Sequence, residues 1–360
     1  MIGSGTAEDP YIISNKADLQ AMENDLSAYY ELGANIDASG TGVGFTPISN
    51  FTGQLDGKGY SIIGFFIDRT GVEKQALFGQ ISGSAVLNDI TMKGVDVTSD
   101  KSYTAALVGY ISGTSCIITS CSSSGTVTCT GTSGTYTGGL IGYMEGGTIS
   151  SCHSTCTVAA AESYASGLVA NAETGDFDDC YATGDVTITG ATKSFGGGFI
   201  GKIDGGTIDN CYAIGAVTVG NDYAGGFIGY MNGVVINKCY ATGDVTGGDD
   251  YVGGFIGKGA DTSATNCYAR GAVSGDAYVG GFVGHNTFND LANCYSTGEV
   301  TGNTDVGGFA GNAVSEDTYI TNCFWDTETS GTETSYGGTG KTTVLMKTKA
   351  TFTDAGWDFT

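Results

Sequence analysis

Five tyrosines, Tyr181, Tyr212, Tyr240, Tyr268 and Tyr295, each directly follow a cysteine and recur every 27 to 31 residues. Flat aromatic faces stack on sugar rings and the phenol adds a hydroxyl, so such a column is a candidate surface for a glycan or protein receptor. Phe324 continues the column, and Thr183, Thr242 and Thr297 run beside it. The alternative is that neighbouring aromatics simply stabilise one another along a stack. A second set, Asp222, Asp249, Asp250, Asp276 and Asp305 with Asn221 and Asn303, lies in the turns ahead of successive Gly-Gly pairs. Carboxylates and amides in stacked turns are the oxygen ligands that calcium takes. The spacing matches no defined calcium loop, and solvated turns have the same composition. Calcium is the one cofactor these residues suggest.

Catalytic chemistry finds less support. The two histidines, His153 and His285, stand at unrelated positions, which argues against a His-based zinc site or a Ser-His-Asp triad. Both are expected to be surface substitutions. The run from Ser335 to Thr342, Ser-Tyr-Gly-Gly-Thr-Gly-Lys-Thr, nearly matches a phosphate-binding loop, but Ser335 replaces the required first glycine and no α/β unit surrounds it. Glycoside hydrolysis needs two carboxylates roughly 5 to 9.5 Å apart. Asp185, Asp244 and Glu299 offer this only as members of the repeat, whereas a catalytic site is expected to interrupt it. No catalytic residue is assigned, and a tailspike-like polysaccharide hydrolase or lyase stays the alternative reading.

The elements that carry these columns follow from the period. Cysteines at 121, 152, 180, 211, 239, 267, 294 and 323 alternate with Gly-Gly-Phe-Ile-Gly units such as 253–257. The units are short, rich in Thr, Val, Tyr and Gly, and lack the 3.6-residue apolar spacing of a helix. An all-β fold follows, a parallel β-solenoid of about nine coils whose equivalent residues stack about 4.8 Å apart. Side chains two apart in a strand share a face. Cys267, Ala269, Gly271 and Val273 are therefore expected inside, and Tyr268, Arg270 and Ala272 outside. Eleven cysteines, eight at one repeat position, fit buried free thiols better than a disulfide scaffold; Cys116, Cys129 and Cys156 lie off the column. Phe255 and Ile256 are adjacent yet both belong to apolar columns. Either the chain bends between them, or one column is an exposed contact stripe. The position five residues after the Cys reads Asp185, Ala216, Asp244, Ala272, Glu299, an alternation that spaces like charges two coils apart.

The ends depart from the repeat. Residues Asn15 to Leu32 are expected to form a capping helix, with Asn15 and Asp18 as a capping box and Leu19, Met22 and Leu26 as its apolar stripe. After Trp325 a polar loop, a short helix over Lys341 to Phe352, and Trp357 with Phe359 are expected to cover the last coil. Three regions result, namely an N-terminal cap with irregular coils (1–75), regular coils (76–325) and a C-terminal loop and cap (326–360), within one elongated domain.

The Gly-Gly-Phe-Ile-Gly-Tyr and Asn-Cys-Tyr-Ala-Thr-Gly-Asp-Val units, the opening Gly-Ser-Gly-Thr-Ala-Glu-Asp-Pro-Tyr-Ile-Ile and the closing Asp-Ala-Gly-Trp-Asp-Phe resemble GLUG-motif repeat proteins of bacterial and archaeal surfaces. The resemblance implies a non-enzymatic adhesin or stalk, extracellular or at the cell surface. A net charge of -24 with 14 basic residues disfavours nucleic acid and anionic membranes as partners, and no apolar run reaches membrane-spanning length. No signal peptide precedes Met1-Ile2-Gly3, so an export signal is expected outside this chain. Lateral self-association into a homopolymeric filament is a further alternative.

Overall fold

The computed structural model describes residues 1–190, 192–287, 290–314 and 319–358. They form two compact units, Met1–Asp185 and Val186–Thr360. Each is a parallel β-solenoid, and the described residues make about 10 turns.

One coil of the second unit shows the rule. Strands Ala277–Gly280, Val283–Thr287, Asp290–Ala292, Tyr295–Ser296 and Val300–Thr301 follow one another around the turn. Each pairs in parallel with its counterpart in the next or previous coil, as in Val279↔Val306, Val283↔Ala310, Leu291↔Ile320 and Tyr268↔Tyr295. Asn266, Asn293 and Asn322 precede their cysteines with φ of 57°, 52° and 53°. Asn tolerates this left-handed conformation better than most side-chain-bearing residues, and the turn rotates the following Cys into the core.

The predicted alternation holds around Cys267. Cys267, Ala269, Gly271 and Val273 are buried, Tyr268 is half-buried, and Arg270 and Ala272 are exposed. All eleven cysteines are buried and free. They also serve the backbone, since Cys239 Sγ accepts the Cys211 N–H at 3.3 Å and donates to the Asn237 carbonyl at 3.2 Å. The apolar columns are both internal. Phe199, Phe227, Phe255, Phe282 and Phe309 are fully buried, as are Ile200, Ile228, Ile256, Val283 and Ala310, so the chain bends between the two residues and the exposed-stripe alternative falls. The Phe rings stack at 4.7 to 4.9 Å.

In the first unit the capping helix is shorter than the apolar pattern indicates. An α-helix spans Lys16–Gln20 and a 3-10 turn Ala21–Asn24, while Tyr29–Leu32 is already a strand. The strand wins because Tyr30 aligns with Tyr11 on one side and Leu55 on the other, and its ring is buried with the hydroxyl on Asp25 O at 2.7 Å. These N-terminal strands are already in solenoid register, hence more turns than the nine read from the repeat. Half of the capping box forms: Asn15 Oδ1 accepts from Asp18 N at 3.0 Å, whereas Asp18 Oδ2 accepts at 3.1 Å from Ser14 N, one residue before the N-cap. Leu19 and Met22 are fully buried; Leu26 is half-buried.

The C-terminal end also differs. Thr339–Lys341 is a strand that pairs with Phe324–Asp326, followed by helices Thr343–Met346 and Lys349–Thr353 instead of one helix. The preceding loop closes the last open edge: Gly308 N donates to Thr334 O, and Ser335 Oγ accepts from Phe309 N and Ala310 N. The Ser335–Thr342 run is thus committed to capping and strand pairing, which removes its phosphate-loop reading. Phe359 lies outside the described residues.

Candidate functional site

Within the second unit the outward tyrosines form a continuous stack. Tyr212–Tyr240 and Tyr240–Tyr268 have centroids 4.8 Å apart and planes within 1°, and Tyr268–Tyr295 are 5.1 Å apart at 10°. In the first unit His153 stacks on Tyr181 at 4.5 Å. A saccharide ring cannot enter between faces at this spacing. The ladder presents ring edges and hydroxyls.

It ends at an aromatic cluster. Phe352 and Trp357, from the C-terminal helix and the chain after it, approach Tyr295 at 6.3 and 6.2 Å and Phe324 at 5.5 and 6.2 Å. They therefore pack beside the tyrosine face, and the 334–338 segment closes the coil end in their place. Trp357 is fixed by its Nε1–H on the Asn322 carbonyl at 2.9 Å. A cleft of about 490 Å³ opens here among Arg270, Tyr295, Thr297, Thr343, Met346, Lys347, Phe352 and Trp357. A second hollow of about 580 Å³ lies around Lys238, Asn266, Tyr268, Asn293 and Trp357. Volumes of a few hundred Å³ with apolar walls and few polar groups suit small ligands.

Arg270 is the polar feature of this cleft. Its guanidinium lies 4.8 Å from the Tyr268 centroid and 5.8 Å from that of Tyr295, and Nη2 donates to the Tyr295 hydroxyl at 2.7 Å. That bond raises its already high pKa further. The other coils carry Ser124, Thr155, Thr183, Ile214, Thr242, Thr297 and Asp326 at this position, so Arg270 is the one basic residue of the column, a break in the repeat that sequence reasoning passed over although the column shows it. Asp326 also borders the cleft but is buried, its Oδ1 accepting from Glu328 N, Thr329 N and Thr343 Oγ1.

The acidic turns divide. Asp222, Asp249 and Asp250 come together with carboxylate oxygens within 4.8 Å of one another. Burial, then Asp249, pushes the Asp222 carboxyl up; burial, then Asp249, Asp222 and Asp276, does the same to Asp250. Asp276 instead accepts from Asn303 Nδ2 at 2.6 Å, and Asp305 from the Tyr336 hydroxyl at 3.0 Å. Of the repeat carboxylates, Asp244 is exposed, and its Oδ1 accepts the Ala272 N–H of the next coil at 2.8 Å.

A second aromatic column was not anticipated. In the second unit Phe195, Tyr223, Tyr251 and Tyr278 stack at 4.6 to 5.1 Å; in the first, Tyr103, Tyr136 and Tyr164 do so at 5.3 and 4.8 Å. Lys193 and Lys258 lie over rings of this column. His285 is no surface substitution. It sits half-buried 5.5 Å from Tyr251 and 5.3 Å from Tyr278, and burial with Lys258 nearby lowers its pKa to about 4.

Residues 275–301, which span one coil of the solenoid, match the family model described as the GLUG motif. Halomucin of Haloquadratum walsbyi is 39% identical over 165 residues, covering 40% of this chain and 2% of halomucin. A protein of Evansella cellulosilytica named as a Gly-rich membrane protein is 34% identical over 121 residues, 31% of this chain and 14% of its own length. The matches thus span a small part of either relative. A crystal structure named for an immunoglobulin A1 protease of Bacteroides ovatus aligns over 96% of this chain and 87% of its own, with a TM-score of 0.51 and 20% identity; it bears on the fold alone. Among the described residues no helix is long and apolar enough to cross a membrane.

Proposed function

We propose that this chain is a non-enzymatic module of a cell-surface or secreted protein that binds glycans through its tyrosine-bearing face. The observation that carries the reading is the Tyr212–Tyr240–Tyr268–Tyr295 ladder, which repeats one hydroxyl and one ring edge per coil at 4.8 to 5.1 Å. Weak equivalent contacts along a repetitive face add by avidity. The names of the two relatives, a mucin and a membrane protein, support a surface location. Calcium held by Asp222, Asp249 and Asp250 belongs to the same proposal, as a clamp between neighbouring turns.

The test is retention on immobilised polysaccharides, comparing the intact chain with a Tyr240→Ala, Tyr268→Ala double variant. Retention that the double variant loses supports the reading. A protein receptor, or lateral contact between copies, becomes the better account if no polysaccharide retains the chain.

A further inference from the structure

We propose that the cleft beneath Trp357 holds an anionic sugar, with its acidic group on Arg270 and its ring against Tyr295 and Trp357. This rests on the glycan-binding reading and names the class of sugar within it.

Three observations converge. The tyrosine stack ends at Tyr295, beside Phe352 and Trp357, where a cavity of about 490 Å³ separates aromatic walls. Tyr295, Phe352 and Trp357 all line this cavity. Secondly, the sole basic member of the Thr183, Ile214, Thr242, Arg270, Thr297 column stands in this cavity. Its guanidinium is held in place by the Tyr268 face and by the single hydrogen bond described for it, from Nη2 to Tyr295. A planar guanidinium has five donor hydrogens and pairs two at a time with carboxylate or sulfate oxygens. Thirdly, local charge runs against the whole. In a chain of net charge -24, this cleft places Arg270 and Lys347 together, and Asp326 is already engaged through its Oδ1 by three donors. The adjoining hollow adds Lys238 and one carboxylate, Asp358.

Carboxylated and sulfated sugars share this chemistry, and the experiment separates them. Intrinsic fluorescence of the full chain, whose two tryptophans are Trp325 and Trp357, is followed while adding matched tetrasaccharides ending in glucuronate, in sulfated galactose or in glucose. One charged end should bind more tightly than glucose by about 10-fold or more, as a charge-assisted hydrogen bond implies. Arg270→Thr, which restores the residue of the Thr242 and Thr297 coils and so preserves the fold, should erase that preference, and Arg270→Lys should restore only part of it. Equal binding of all three sugars, unchanged in Arg270→Thr, overturns the anionic assignment while leaving glycan binding intact. Binding of none, in wild type and variants alike, overturns both.

Discussion

A Cβ placed on Gly254 would lie 2.2 Å from the carbonyl oxygen of Gly281 in the next coil. The same clash recurs between Gly226 and Gly254 and between Gly281 and Gly308, so the Gly-Gly pair marks where the backbones of successive coils approach too closely for any side chain. The bend there turns both Phe255 and Ile256 into the core. Gly254→Ala should lower unfolding free energy by about 3 kcal/mol or more, as core overpacking against backbone does. Denaturant unfolding of the variant checks this; a midpoint within error of wild type contradicts it.

The cysteine column should be chemically silent until the chain unfolds. Burial raises the Cys239 and Cys267 thiols well above their usual range, and reactivity requires the thiolate. Alkylation followed by intact-mass analysis should add nothing in the native state and eleven groups after denaturation. Cys239→Ala should cost about 1 to 3 kcal/mol through the lost volume and the lost partner of the Cys211 N–H. A mass showing disulfides, or a neutral substitution, contradicts this account.

Much of this architecture is legible in the sequence because a two-residue alternation fixes facing once the strand is known: Cys267 and Ala269 inside, Tyr268 outside. The alternation fails where the chain leaves extended geometry. Tyr223, Tyr251 and Tyr278 have φ of 56°, 64° and 53°, so a strand-based reading did not assemble their column. Asn15–Leu32 reads as one helix because Leu19, Met22 and Leu26 keep helical spacing, but tertiary pairing of Tyr30 with Tyr11 and Leu55 overrides local preference. The cleft was invisible for a different reason. Trp357 reaches Tyr295 from 62 residues further along the chain, and no periodicity encodes that return; only Arg270 signalled it.

His285 should make the fold sensitive to acid. Its folded pKa is about 4 against an ordinary 6.5, and the groups facing it are Tyr251, Tyr278, Lys258 and Asp305. Between these values the unfolded state takes up a proton that the folded state refuses. Its contribution is therefore complete above pH 6.5 and is lost as pH falls toward 4. His285→Asn, the residue that Asn312 supplies in the next coil, should flatten the stability profile over that window. An unchanged slope contradicts the assignment.

Asp222 and Asp250, both raised by burial and by Asp249, should act in the opposite sense. Carboxyls raised in the folded state bind protons more tightly than in the unfolded chain, so their cost is absent in acid and appears as pH rises through the raised values. At pH 7 Asp250→Asn should be more stable than wild type. Millimolar calcium should raise the melting temperature of wild type and leave Asp250→Asn nearly unchanged. If calcium shifts neither protein, the cation proposal fails, whereas the pH effect stands on its own variant.

The most direct test of the central claim follows two signals at once: retention of the intact chain on a panel of bacterial, algal and host polysaccharides, and the appearance of new chain ends in the bound polymer. Retention without new ends, lost in the Tyr240→Ala, Tyr268→Ala variant, is the predicted result. Release of chain ends would contradict it, make the protein an enzyme, and direct attention to Asp185, Asp244 and Glu299.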